Sequence, residues 1–486
     1  VKALRLPTFS VEEILKATGG RLIQGSPERI FRGISTDSRN LTNDNLFIPI
    51  VGDKFDGHDF TGSALKNGAA GLLVQTGKEE KLKDVAENVP VVLVNDTVKA
   101  LGDIAHFWRD RFDIPVIAVT GSSGKTTTKE MIASIAGLSK NVLRTHGNFN
   151  NFIGLPLTLL KANSGHEVIV LEMGTNRKGE IARLSEIAKP DIGVITNIGP
   201  AHLEGLKSLE GVREEKGDLF SSMKDRGVAI INNDDKEIRI LAERWGGKSI
   251  TFGIGSDAFV HAENIIKKRD MGVNFTLRIG EFKRKITLST LGEHNIYNAL
   301  AAAASSCALG MDYDLICEGL EAFKQIGGRM DLHRLKNGAY LIDDTYNANP
   351  ASVMEALRSL KELKGSYEST VVLGDMLELG GQEEKIHENI GMHLADRSVS
   401  KIFLMGKLSR SVAAGAIQSG FKSDQIFFID NPVKLAVCLK SYLKKGDWVL
   451  VKGSRKMKME DIAMAIIKVF GEQQTREKRN RSRLET

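Results

Sequence analysis

The sequence predicts an α/β protein of three domains, and three observations predict it. First, short apolar runs alternate with helical patterns along most of the 486 residues. Second, these runs are continuous rather than alternating, as strands buried on both faces are, so the sheets are expected to be mostly parallel with helices on both faces. Third, the run "VIAVT" (116–120) ends in a small Gly-bounded turn, "GSSGKTTT", that leads into a helix and marks the central sheet as P-loop-type.

The other runs, in chain order, are "VVLV" (91–94), "VIVLE" (168–172), "IGVIT" (192–196), "VAII" (228–231), "YLID" (340–343), "VVLG" (371–374), "KIFLM" (401–405) and "WVLVKG" (448–453). The length allows two to four domains. "RDRFDIP" (109–115) is charged and ends in Pro just before the strand that feeds the turn. "KQIGGRMD" (324–331) has paired Gly after the Ala-rich stretch "NIYNALAAAASSCALG". These two boundaries give domains at 1–113, 114–327 and 328–470, with 471–486 as a polar, disordered tail.

Composition narrows the function. Hydrophobic content of 42% and charged content of 26% are those of a soluble globular protein. There is no run of about 18 apolar residues, so no membrane span is expected, and the first 20 residues lack the apolar core of a secretory signal. Cys307, Cys317 and Cys438 are odd in number and in no metal spacing, which reads as reduced thiols in a cytoplasmic protein. The net charge of +6 lies partly in the tail. With aromatics at 6% and no basic–aromatic interleaving, nucleic acid is not an expected partner. A mildly positive body suits polyanionic small substrates.

The turn Gly121, Ser122, Ser123, Gly124, Lys125, Thr126, Thr127 departs from the strict G-x-x-x-x-G-K-[ST] rule, which would put Gly where Val119 stands. The physics survives. Amides of 121–126 can point at phosphate oxygens, the helix N-terminus adds a positive field, Lys125 supplies a point charge, and the Thr126 hydroxyl can bind Mg²⁺. An N-K-x-D that would select guanine is absent, which argues against a switch GTPase. Glu172 ends a buried strand at the sheet edge where ligands bind, and reads as a Mg²⁺ holder rather than a solvent-facing strand end. His202 follows "TNIGPA" near another strand end; imidazole is an unusual Mg²⁺ ligand, so its chemistry leaves it open between ligand and bystander. Lys216 in "REEKGDLF" reads, from spacing alone, as a surface Lys paired with Glu.

Together the segments "TGSSGKTTTKE", "TNIGPAHLEGLKSLEGVREEKGDLF", "GEHNIYNALAAAA", "GGRMD" and "IDDTYNANPASVMEAL" resemble the Mur ligase superfamily, and its shortened P-loop accounts for the missing Gly. "STDSR" (35–39), "GNFNNFIGLPLTLL" (147–160), "EMGTNRKGEIARL" (172–184), "DDTYNANP" (343–350) and "LGDMLELG" (373–380) resemble the branch that joins D-alanyl-D-alanine to a UDP-N-acetylmuramoyl-tripeptide. The resemblance implies a smaller N-terminal α/β domain for the UDP-sugar, a central ATP domain and a C-terminal Rossmann-like α/β domain for the dipeptide and part of ATP.

It also implies roles for individual residues. Lys125 and Thr126 hold phosphates and a first Mg²⁺, Glu172 bridges two metals, His202 binds the second, and Lys216 is carbamylated, which requires a partly buried, neutral amine. Asn295 and Asn298 face adenine, Arg329 the phosphates and Asp344 the ribose. Ser35, Asp37, Ser38 and Arg39 grip the uridine nucleotide, and Asn148, Asn150 and Asn151 face the substrate, although loop Asn residues are also ordinary turn formers. The activity implied is ATP-dependent amide ligation through an acyl phosphate in cytoplasmic peptidoglycan precursor synthesis.

The alternatives are a third-residue-adding ligase of the same superfamily, folylpolyglutamate synthetase and a P-loop small-molecule kinase. "DNPV" (430–433) is similar to the D-N-P-R that selects diaminopimelate, but Val433 replaces the Arg and Asn-Pro suffices as a turn signal. Lysine and diaminopimelate both remain open at the third peptide position.

Overall fold

The computed structural model describes residues 7–473, except Asp53, Asp225, Ser256, 269–271, Ser398 and the side chains of Lys268 and Asp396. The tail expected from 471 begins with structure. Glu472 bridges Leu335, and the Gln473 amide donates to the Arg334 carbonyl; residues 474–486 lie outside the described residues.

Every apolar run named above forms a strand, each in one of three main sheets. The largest sheet has nine strands. At its centre Val116–Thr120 lies between Val168–Glu172 and Ile192–Ile195, parallel to both, with Val119 beside Glu172 and beside Val194. The chain leaves Val116–Thr120 for the far edge strand Val142–Arg144, returns through Val168–Glu172, then crosses to Ile192–Ile195, Val228–Asn232 and Lys248–Gly253. That reversal puts a crevice at the C-terminal end of Val116–Thr120, where loops diverge and ligands bind.

The sheet then continues as an antiparallel meander, Val260–Lys268, Gly272–Ile279 and Phe282–Leu288. These strands were not read from the sequence. In "VNFTLRI" buried and half-buried positions alternate, the period-two signal of a strand with one face on the core, and that alternation was the cue available.

The helix Lys125–Ala136 and the Ala-rich helix His294–Ala308 cover one face of this sheet and pack on each other. Small Ala side chains permit that close approach. On the other face, one apolar cluster runs from Phe9, Phe31 and Trp108 of the first 113 residues through Ile169 and Leu184 to Leu219 and Leu241. The first sheet (strands between Arg21 and Val94) and the central sheet therefore share a core. Arg109, 3% exposed, seals this junction by donating to the carbonyls of Phe112, Ile114 and Ala188.

The C-terminal sheet of six strands, from Asp331–Arg334 to Trp448–Lys452, has its own core on each face. Its contacts with the central part include Leu291, which joins its core, and several polar pairs. Lys267 bonds Glu362 at 2.8 Å, and His294 lies 3.4 Å from Glu355. None of the three cysteines is in a disulfide; Cys317 is buried, and Cys307 and Cys438 are half-buried. Among the described residues no helix is long and apolar enough to cross a membrane.

Replacing Arg109 by Ala removes the donor from three carbonyls at once, two of them at buried contacts. Arg109→Ala is expected to destabilise the protein by about 3 kcal/mol, read as a lower denaturant midpoint.

Candidate functional site

A cleft of about 1120 Å³ opens at the crevice, lined by the 122–127 turn, by Asn148–Ile153, Glu172–Asn176 and Thr196–Gly199, and by Arg329, Asp344 and Tyr346–Asn349 of the C-terminal part. Val98 closes it from the N-terminal side.

The turn is shaped by two glycines. Gly121 has φ 149° and Gly124, which precedes the helix, has φ 79°. A Cβ on Gly121 would fall 1.9 Å from the Thr196 hydroxyl, and one on Gly124 would fall 2.2 Å from Asn298 Oδ1. Only Gly fits both positions.

One part of the sequence reading is corrected here. The amides of Ser122 and Ser123 are not free for an anion. Ser122 N–H donates to the Asn197 carbonyl and Ser123 N–H to Asn197 Oδ1, each at 3.0 Å. The Thr196 hydroxyl and the Asn197 amide group in turn donate to the Ser123 carbonyl and hydroxyl. The amides that have no carbonyl within the helix are those of its first turn, from Gly124 onward. The positive end of the helix thus supplies the anion site, and "TNIGP" holds the turn in shape. Thr196 and Asn197, which line the cleft and brace the turn, are not among the residues the sequence reading names.

Thr126 is the meeting point. Its hydroxyl donates to Glu172 Oε2 at 2.7 Å and accepts from Arg329 Nη2 at 2.8 Å. The other Glu172 oxygen accepts from Asn150 Nδ2 at 2.8 Å. Arg329 stacks on Tyr346, its guanidinium carbon 3.8 Å from the ring centroid. Lys125 Nζ is folded back on the Gly121 carbonyl at 2.6 Å. Burial of that amine pushes it below the usual lysine range; Glu172 opposes the shift and Arg329 adds to it.

A hydroxyl and a carboxylate 2.7 Å apart are the hard oxygen donors that Mg²⁺ takes, so this pair fits one such ion. Among the described residues no group of three or more His, Cys, Asp or Glu side chains is placed to hold a metal. His202 lines the cleft, but its Nδ1 faces Glu378 Oε2 of the C-terminal part at 3.1 Å. His202 has φ 52° and Glu378 φ 65°, both left-handed.

Lys216 is not the surface residue its spacing suggested. It is 1% exposed. Burial and then the Lys125 cation push its amine well below the usual range, against Glu215.

The remaining predicted residues divide into three groups. Asn295, Asn298 and Asp344 line the cleft. Asn298 donates to Asn295 Oδ1, and Asp344 is held by the Met330 amide at 3.1 Å and by Lys452 Nζ at 2.6 Å. Asn148 and Asn151 also line it, and the Asn151 side chain accepts from the Ile153 and Gly154 amides just before the helix Gly154–Leu159, the ordinary turn role. Ser35, Asp37, Ser38 and Arg39 are not among the lining residues. Asp37 and Arg39 form a local ion pair at 2.9 Å beside the strand Ile34–Ser35. In "DNPV", Asn431 caps the helix Pro432–Leu439, so the turn signal accounts for that segment.

Comparison with known proteins matches the Mur ligase middle domain at residues 119–306, the Mur ligase glutamate ligase domain at 328–455 and the Mur ligase family catalytic domain at 30–109. The chain belongs to the Mur ligase family. Two relatives of this Mur ligase are the UDP-N-acetylmuramoyl-tripeptide–D-alanyl-D-alanine ligases of Bacillus subtilis (strain 168) and Escherichia coli (strain K12). The first is 36% identical over 94% of this chain and 98% of its own. The second is 34% identical over 89% and 93%. Among solved structures, MurF from Acinetobacter baumannii superposes with a TM-score of 0.86 at 30% identity over 96% of this chain and all of its own. MurF ligase from Thermotoga maritima in complex with ADP gives 0.80 at 29% identity over 90% and 97%.

The crowding at Gly124 yields a test. Gly124→Ala forces both a left-handed Ala and a clash with Asn298. The variant is expected to lose about tenfold or more in ATP affinity by calorimetric titration, while keeping its far-ultraviolet dichroism.

Proposed function

We propose that the protein is an ATP-dependent ligase that joins D-alanyl-D-alanine to UDP-N-acetylmuramoyl-tripeptide in peptidoglycan precursor synthesis, acting in the cytoplasm. The observation that carries this reading is the convergence of Thr126, Glu172 and Arg329 in one cleft. Support comes from near full-length similarity to ligases of that name.

A carboxylate is a poor electrophile, and joining it to an amine in water is uphill. Transfer of the γ-phosphoryl group of ATP to a carboxylate oxygen of the tripeptide makes an acyl phosphate and releases ADP. The dipeptide amine then attacks the carbonyl carbon, the C–N bond forms, inorganic phosphate leaves and the amine's proton is lost. Little covalent chemistry falls to the protein, so positioning and charge dominate.

Lys125 and Arg329 offset phosphate charge as it moves between ATP and the carboxylate. Thr126 and Glu172 would hold Mg²⁺, which supplies further positive charge to the phosphates when bound. Lys216, buried and low in proton affinity, is suited to react with CO₂. The N–C bond forms with loss of a proton, and the carbamate offers the hard oxygen donors that Mg²⁺ prefers to an amine nitrogen. With His202 it would complete a second Mg²⁺ site.

Asn295 and Asn298 serve the adenine and Asp344 the ribose. The segment 1–113, with Ser35, Asp37, Ser38 and Arg39, takes the uridine end outside the main cleft. Asn148, Asn150 and Asn151 face the peptide, and 328–470 brings the dipeptide. The apolar junction of the first two parts against the more polar junction of the third makes the third the mobile partner in closure, which keeps water from the acyl phosphate.

The deciding assay is phosphate release from ATP with each candidate muramyl tripeptide, with and without D-alanyl-D-alanine. Turnover is expected only with both acceptor and amine present; phosphorylated product without the amine would indicate a kinase instead. Lys216→Ala is expected to lose about a hundredfold or more in kcat, with partial rescue by a small carboxylate. Full activity in that variant would remove Lys216 from the site.

A further inference from the structure

Glu215 is a buried carboxylate, 1% exposed, that the chemistry above does not use. Its Oε1 accepts from the Thr175 hydroxyl at 2.9 Å and the Ile181 amide at 2.8 Å. Its Oε2 accepts from the Gly179 amide at 2.6 Å. All three donors belong to the segment 175–181 that follows Glu172 and ends in the first turn of a helix. Thr175, Asn176 and Glu180 of that segment line the cleft.

The two amides stand at the N-terminus of the helix Glu180–Ala188, where oriented N–H groups favour an anion. A buried carboxylate is costly to keep unless its oxygens are satisfied, and here donors from one segment satisfy both. A Gln at 215 would fill the same volume, but its NH₂ would meet an N–H where an oxygen is needed.

The location indicates which ligand the turn serves. The strand Val168–Glu172 lies between the cradle strand and the edge strand Val142–Arg144. The helix after the turn sends Arg183 to the Lys99 carbonyl and to Asp103 on the helix Thr97–Arg109, in the N-terminal part. On the ligase reading the adenine, met by Asn295 and Asn298 of the helix His294–Ala308, lies toward the other side of the cradle strand, where Tyr297 of that helix donates to Asp234.

We infer that Glu215 is a positioning residue for the muramyl substrate: it acts through the 175–181 turn, which it locks against the helix that carries Lys216, and not through the nucleotide. This rests on the ligase reading above.

Initial-rate kinetics of the full chain test this. Glu215→Gln is expected to raise KM for the muramyl tripeptide about tenfold and to leave KM for ATP within about twofold of the parent. Glu215→Asp keeps the anion but shortens its reach, and is expected to raise the same KM about threefold. An unchanged tripeptide KM, or tripeptide and ATP KM values that rise together, overturns the positioning role. If Glu215→Gln does not fold, the Asp variant is judged by the same two criteria. A parent enzyme with no turnover overturns the ligase reading instead, so the two failures are distinct.

Discussion

The hydroxyl of Thr126 holds the site together because it has one proton to give and lone pairs to accept with. It gives the proton to Glu172 and accepts from Arg329, so three segments far apart in sequence must meet within hydrogen-bond distance of a single atom. For Glu172 to reach it, the strand Val168–Glu172 must lie beside Val116–Thr120 in the register that pairs Glu172 with Val119. For Arg329 to reach it, the C-terminal part must close over the cleft. The doubly wound order of the central sheet and the docking of the third domain are both conditions of that one contact.

Around this point the protein separates what must be rigid from what must move. The cradle is rigid: Thr196 and Asn197 occupy the turn's own amides and carbonyls, and two glycines leave no room for a side chain. The first and central sheets share an apolar core, which favours one fixed arrangement. The third domain meets the central one through Arg329, Lys267, His294 and His202. Such polar contacts exchange readily with water and suit a surface that opens and closes.

Legibility in the sequence followed the range of the interactions. The nine apolar runs formed strands because a continuous run of Val, Ile and Leu buries both faces whatever its neighbours are. The cradle was readable because its glycines, Lys and Thr are contiguous. The meander at 260–288 was missed because its strands alternate with charged residues and look weak one at a time; pairing makes them a sheet. Asn151 lines the cleft and its side chain also accepts from the Ile153 and Gly154 amides, a turn role that only the following backbone reveals.

By itself the sequence determined the fold class, the positions of the nine continuous apolar strands and the phosphate turn, all consequences of neighbours along the chain. It also carried the family's motifs in order. Tertiary structure alone decided that the Ser122 and Ser123 amides belong to Asn197, that Lys216 is buried in a helix of polar appearance, that His202 faces Glu378 and that Ser35 to Arg39 lie outside the cleft. The physical reason is that burial and the choice of hydrogen-bond partner are properties of what packs on a residue from elsewhere. No local pattern around Lys216 announces that the helix's buried face would include an amine, and the carboxylate beside it would have been read as that amine's partner when it belongs to another turn.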